Sequence, residues 1–266
     1  MSAAPKNPAR RRVLAGAALA PMLAAWPHRA VSEPGDAPAE GARACGSWPL
    51  WGEFSEQFLG QGARVIDRST ERAQSVSEAQ AYALFFALVA NDATRFEQLL
   101  RWTEDNLAQG DLAKRLPAWL WGRRDDGSWG VIDENSATDA DLWLAYSLGE
   151  AGRLWKQRRL VALSSLIGER ILQEETALLP GLGRTLLPGP HGFTQEPGRW
   201  RLNPSYCPPF LLRWFATKSR DARWQELAQT SVAVLLASSP LGFAPDWAFY
   251  RANTQTQATT GGASTG

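Results

Sequence analysis

The chain has 266 residues, 44% of them hydrophobic and 21% charged, with a net charge of +1, a composition that excludes a wholly disordered or collagen-like protein. Six of its 28 basic residues but only three of its 27 acidic ones precede Cys45, so the body is near neutral and carries no electrostatic footprint for nucleic acid. Two histidines (His28, His191) and two cysteines (Cys45, Cys207) do not supply a His/Cys zinc site, and no nucleophile elbow, GxGxxG or Walker loop occurs.

Neither a metal nor a cofactor is therefore expected, and by elimination any catalysis rests on carboxylates. The 13 tryptophans, against 4 tyrosines, point to a large aromatic core or to flat platforms for a flat ligand.

In chain order, residues 1–30 open with Arg10, Arg11 and Arg12 before an apolar run from Val13 to Trp26. That is a basic region and a short hydrophobic core, too short for a stable membrane span, and it suits an export signal of twin-arginine type. Periplasmic or secreted localisation is expected, where Cys45 and Cys207 could pair, although spacing does not decide that. Residues 31–44 read as an Ala/Pro/Gly linker, 45–252 as one folded domain, and 253–266 as a disordered low-complexity tail.

Within the domain, Ser75 and Glu78 look like a capping box opening a helix that is apolar on nearly every face, and so is expected to be buried all round. Asn91-Asp92 caps an amphipathic helix with Phe96, Leu99, Leu100 and Leu107 on one stripe. The alternation recurs: an apolar helix opening at Thr138, an amphipathic one over about 160–172, an apolar one over 209–216, and an amphipathic one over 221–236. Apolar helices alternating with amphipathic ones imply concentric layers. Residues 122–136 and 180–209, rich in Gly, Pro and Asn, read as long connections.

The stretch Ala137-Thr138-Asp139-Ala140-Asp141-Leu142-Trp143-Leu144-Ala145 and the segment Ser77-Glu78-Ala79-Gln80-Ala81-Tyr82-Ala83 together resemble the signatures of glycoside hydrolase family 8. Further pieces match at Trp48–Trp51, Arg64–Asp67, Leu116–Gly122, Asn203–Tyr206 and Gly242–Trp247. The resemblance implies an all-α (α/α)6 barrel and an inverting endo-1,4-β-glucanase (a cellulase) of the kind associated with bacterial cellulose synthesis. Its implied partners are β-1,4-glucan and the cellulose synthase export machinery, with no stable membrane span once the signal is removed.

Inverting hydrolysis needs one protonated carboxyl on the leaving oxygen and one carboxylate that activates water. The resemblance assigns Glu78 as the acid and Asp139 as its partner. Asp141, Trp119, Trp121 and Tyr206 are weaker candidates for touching sugar; Trp143, Trp155 and Trp214 are expected in the core. Taken without the family, Glu78 reads first as a capping-box partner, and the two aspartates read first as favourable charges at a helix N-terminus.

Two departures stand out. Ala79, Ala81 and Ala83 replace the family's Gly, Ser and Gly, so their methyls are expected to crowd the groove. The family's later Ser-Tyr-Asp segment, which carries its water-activating base, has no counterpart, and about three helix pairs are legible where the toroid has six. These features present the chain as a C-terminally truncated toroid. They leave an inactive homologue that at most binds β-glucan as the alternative to an active enzyme.

Overall fold

The computed structural model of the chain describes residues 48–206 and 208–252. The expected export signal, the linker, Cys45, Cys207 and the tail lie outside the described residues. In chain order the elements are α1 (Pro49–Phe58), β1 (Ser75–Val76), α2 (Ser77–Val89), α3 (Ala93–Leu107), β2 (Leu120–Arg123), β3 (Trp129–Asp133) and α4 (Thr138–Leu154). There follow α5 (Arg158–Glu174), β4 (Thr176–Leu179), β5 (Gly183–Leu186), β6 (Thr194–Glu196), β7 (Arg199–Leu202), α6 (Pro209–Lys218), α7 (Arg223–Ser238) and β8 (Ala248–Arg251).

The helices form two layers. Inner helices α2, α4 and α6 stand side by side, with α4 in the middle, and α3, α5 and α7 each pack on the inner helix that precedes them. The amphipathic stripes decide this. On α3 the buried residues are Phe96, Leu99, Leu100, Thr103 and Leu107, which fall on one face at helical spacing. On α5 they are Leu160, Leu163, Ile167, Ile171 and Leu172 with the small Ser164 and Gly168. Three inner–outer pairs of an (α/α)6 toroid are thus present among the described residues.

Small residues let α4 approach its neighbours closely. A Cβ on Gly149 would lie 2.4 Å from the Trp214 ring, and one on Gly152 would lie 2.6 Å from Val161. The Ser164 hydroxyl donates to the Ala145 carbonyl at 2.6 Å and fastens α5 to α4 at the same level. Helices α1 and α6 each begin on a proline, which loses no hydrogen bond at that position.

Three expectations are corrected. First, Ser75 is not an N-cap. It lies in β1, where its hydroxyl donates to the Val65 carbonyl and accepts from Arg64 Nε, and α2 starts two residues later with Val76 at the cap position. Second, α2 is not buried all round, since Tyr82 is 36% and Val89 57% exposed. The inner helices turn one face toward the ring's centre, and there Tyr82, Phe85, Trp143, Tyr146, Phe210 and Trp214 form a continuous run of ring contacts.

Third, the long connections contain strands. β1, β2 and β3 form an antiparallel sheet, β4 pairs β5, and β7 lies between β6 and β8. The β2–β3 turn runs through Gly127 at φ +82°, a left-handed conformation that glycine adopts without a steric penalty.

Asp92 joins two levels of this organisation. Its Oδ1 accepts from the Arg95 backbone N–H at 3.0 Å and caps α3, while its Oδ2 accepts from Trp51 Nε1 at 3.0 Å and holds α1. Asp92→Ala is expected to cost about 1–2 kcal/mol through loss of the cap and of a charge-assisted hydrogen bond. A urea midpoint unchanged from wild type would refute that role.

Candidate active site

Glu78 and Asp139 lie far apart in sequence, and the β1–β2–β3 sheet brings them together. Ser75 and Val76 pair with Trp121 and Leu120, and the sheet's third strand leads into the start of α4. The backbone of Trp119 closes the junction: its carbonyl accepts from Ser77 N–H at 2.9 Å, and its N–H donates to the Asn135 carbonyl at 2.7 Å. Each carboxylate therefore occupies the second position of an inner helix, after Ser77 in α2 and after Thr138 in α4. Backbone N–H groups of these first turns reach the carboxyls, that of Glu78 its own side chain and those of Asp139 and Ala140 the Asp139 carboxyl.

The two environments differ. Glu78 is partly exposed and accepts from the Ser77 hydroxyl at 3.2 Å. Desolvation raises its pKa above the usual carboxylate value. Asp139 is only 7% exposed. Burial, and then the charge of Glu78, push its pKa from the usual 3.8 to about 7. The Tyr82 hydroxyl donates to Asp139, and burial with these two carboxylates lifts the tyrosine to about 12. Tyr206, in a 3-10 turn just before α6, has its pKa raised by burial and then by Asp139, Glu78 and Tyr82. Four groups from the starts of three inner helices thus share one field.

The other candidates are placed differently. Asp141 is fully enclosed, and burial followed by the charge of Glu175 raises its pKa. Trp121 is taken up by intramolecular contacts: it stacks on Trp129 at 5.4 Å, meets Trp102 edge-on, and has the Arg64 guanidinium 4.3 Å from its ring centre. The Trp119 side chain is half-buried against the core, and Trp143, Trp155 and Trp214 also pack there. Ala81 and Ala83 are 2% and 0% exposed, so these methyls fill the core and do not crowd the groove as expected.

Sequence reasoning passed over Tyr82, although it stands one helical turn from Glu78 inside the quoted motif, and Glu175. A crevice of about 380 Å³ beside Gly149, Arg153, Trp214 and Trp224 lies at the other end of α4 and holds neither carboxylate. Among the described residues, no group of three or more His, Cys, Asp or Glu could hold a metal ion.

The sequence matches Glycosyl hydrolases family 8 over residues 26–264. The chain belongs to this family. An endoglucanase of Salmonella typhi is 49% identical over 209 residues, covering 79% of this chain and 56% of that protein. An endoglucanase of Xanthomonas axonopodis pv. citri is 44% identical, covering 92% of this chain and 62% of that protein.

The crystal structure of an endo-1,4-D-glucanase from Vibrio fischeri superposes with a TM-score of 0.75 at 48% identity, over 76% of this chain and 59% of that one. The chain thus spans little more than half the length of these relatives. As a family 8 chain it has the (α/α)6 toroid architecture, and its three helix pairs are a part of that ring. Among the described residues, no helix is long and apolar enough to cross a membrane.

Proposed function

We propose that this chain is an endo-1,4-β-glucanase that hydrolyses internal β-1,4 bonds of cellulose with inversion, using Glu78 as the acid and Asp139 as its partner carboxylate. The observation that supports this most directly is the matched placement of the two carboxyls at the second positions of adjacent inner helices. The roles follow from access. A proton donor must reach the glycosidic oxygen, and Glu78 is the more accessible of the two.

Asp139 is deeper and oriented by the Tyr82 hydroxyl, so it serves as the fixed partner carboxylate. In the reaction, water adds to the anomeric carbon as the C–O bond breaks. The Glu78 proton goes to the departing sugar oxygen, and the attacking water gives its proton to a carboxylate on the opposite face of the sugar. Tyr206 and the more exposed rings of Tyr82 and Phe210 offer faces on which glucose rings stack.

The basic cluster at Arg10–Arg12 and the apolar run to Trp26 support export to the periplasm or beyond. There the enzyme would meet β-glucan beside the cellulose export machinery. The test is hydrolysis of carboxymethylcellulose by the purified chain. A rapid fall in viscosity ahead of reducing-end release is expected for an endo cut, and fresh products should show the α-anomer by proton NMR. Glucan binding with no release of reducing ends would overturn the hydrolase reading. Initial β-anomer would overturn inversion.

A further inference from the structure

Below the Glu78–Asp139 pair lies a second pair of carboxyls that the reaction does not use. Asp141 and Glu175 are both 0% exposed. Ser136 Oγ donates to Glu175 Oε1 at 2.6 Å and the Thr138 hydroxyl also reaches the Glu175 carboxyl, but Glu175 Oε2 and both Asp141 oxygens make no hydrogen bond among the described residues. The two side chains lie within hydrogen-bond range of each other. Two ionised carboxylates placed so would be acceptor facing acceptor, with like charges sealed from water, an arrangement a folded protein does not sustain. One proton between them gives each carboxyl a hydrogen-bond partner in the other.

We propose that Asp141 and Glu175 share a single proton and that this carboxylic acid–carboxylate clamp positions Asp139. The frame around the clamp is continuous. Glu175 is the C-cap residue of α5, and its carbonyl accepts from Leu187 N–H at 2.8 Å. The Leu187 carbonyl accepts from the Thr138 hydroxyl at 2.5 Å, and Thr138 N–H donates to the Pro188 carbonyl at 3.1 Å. Ser136 and Thr138 flank the helix start, Asp139 follows at once, and Asp141 closes the loop back to Glu175.

The first turn of α4 is thereby held at both ends. The charged groups facing the clamp are Asp139 of α4 and Glu78 of α2 toward Asp141, and Glu174 of α5 toward Glu175. All are acidic, so the surroundings favour keeping the proton. Burial accordingly raises both members, Glu175 to about 7. Both are raised relative to the unfolded chain. Their stability contribution is therefore complete at acid pH and is lost as pH rises through about 7.

The positioning role rests on the proposed hydrolase reading, whereas the shared proton does not, and the experiment separates them. In a Glu78→Gln/Asp139→Asn background the site's own acids are gone. An infrared carboxylic-acid C=O band that shifts on deuteration is expected to persist there at neutral pH and to vanish when Asp141→Asn is added. The melting temperature of the background variant should fall as pH rises from about 4.5 through about 7, and the added Asp141→Asn should flatten that fall.

No acid band in the background, or a band that survives Asp141→Asn, overturns the shared proton whatever the activity. In the otherwise wild-type chain, Asp141→Ala should lower kcat by about 100-fold with KM little changed, as a displaced reacting group does. Asp141→Asn, which can donate to Glu175 as the acid does, should restore most of it. Equal loss in a folded Asp141→Asn overturns the clamp's positioning role.

Discussion

Glu78→Gln is expected to lower kcat on carboxymethylcellulose by about a thousandfold, within the range that a positioned general acid supplies, while KM changes little. Gln keeps the size of the side chain and accepts from the Ser77 hydroxyl as Glu78 does. What it lacks is a proton to give. The loss should therefore depend on the leaving group: an aryl cellobioside with an acidic phenol needs no protonation and should be cleaved nearly as well as by wild type. If polymer and activated substrate lose rate equally, Glu78 is not the acid. Were Glu78 only a favourable charge at a helix start, the substitution would cost about 0.3–1 kcal/mol of stability and no rate.

Much of the helical frame around the candidate site was legible in the sequence, and the reasons are physical. The stripe of Phe96, Leu99, Leu100 and Leu107, the cap at Asp92, and the start of α4 at Thr138 are local patterns that the fold uses as they stand. Ser75 misled because a serine three residues before a glutamate has the capping-box form, whereas its hydroxyl bonds to the Val65 carbonyl across a turn of chain that no local window contains. The strands were missed because they are two to five residues long and interrupted by turns, too short for alternation to register.

Glu175 was invisible for a different reason. Beside Glu174, at the end of an amphipathic helix, it reads as one more solvated charge; only the packing of Ser136 and Asp141 against it reveals complete burial. The convergence of Glu78 and Asp139 is likewise tertiary. The motifs named both residues, and the Trp119 backbone, bonded to each side, is what joins them.

Asp139→Asn is expected to reduce kcat by about a hundredfold or more, and at the same time to raise the melting temperature above neutral pH. The two effects have one cause. Asp139 is held nearly out of water next to another carboxyl, so its pKa in the folded chain is about 7 against a usual 3.8. Ionising it in the folded state then costs about 4 kcal/mol relative to the unfolded chain. A raised acid contributes fully below its unfolded pKa and loses that contribution as pH rises through the folded one, so wild type weakens from about pH 4 to pH 7 and stays weaker above.

Asn keeps the shape, still accepts from Tyr82, and carries no charge to desolvate, so the difference in melting temperature between variant and wild type should widen with pH over that interval and then level off. Glu78→Gln in the same scan should give a smaller gain, because Glu78 is less buried and its pKa is less displaced. A protein that selects for stability alone would have placed Asn there. If Asp139→Asn proves no more stable than wild type at pH 8, the carboxylate is not strained by burial, and the argument that its placement serves the reaction loses its footing.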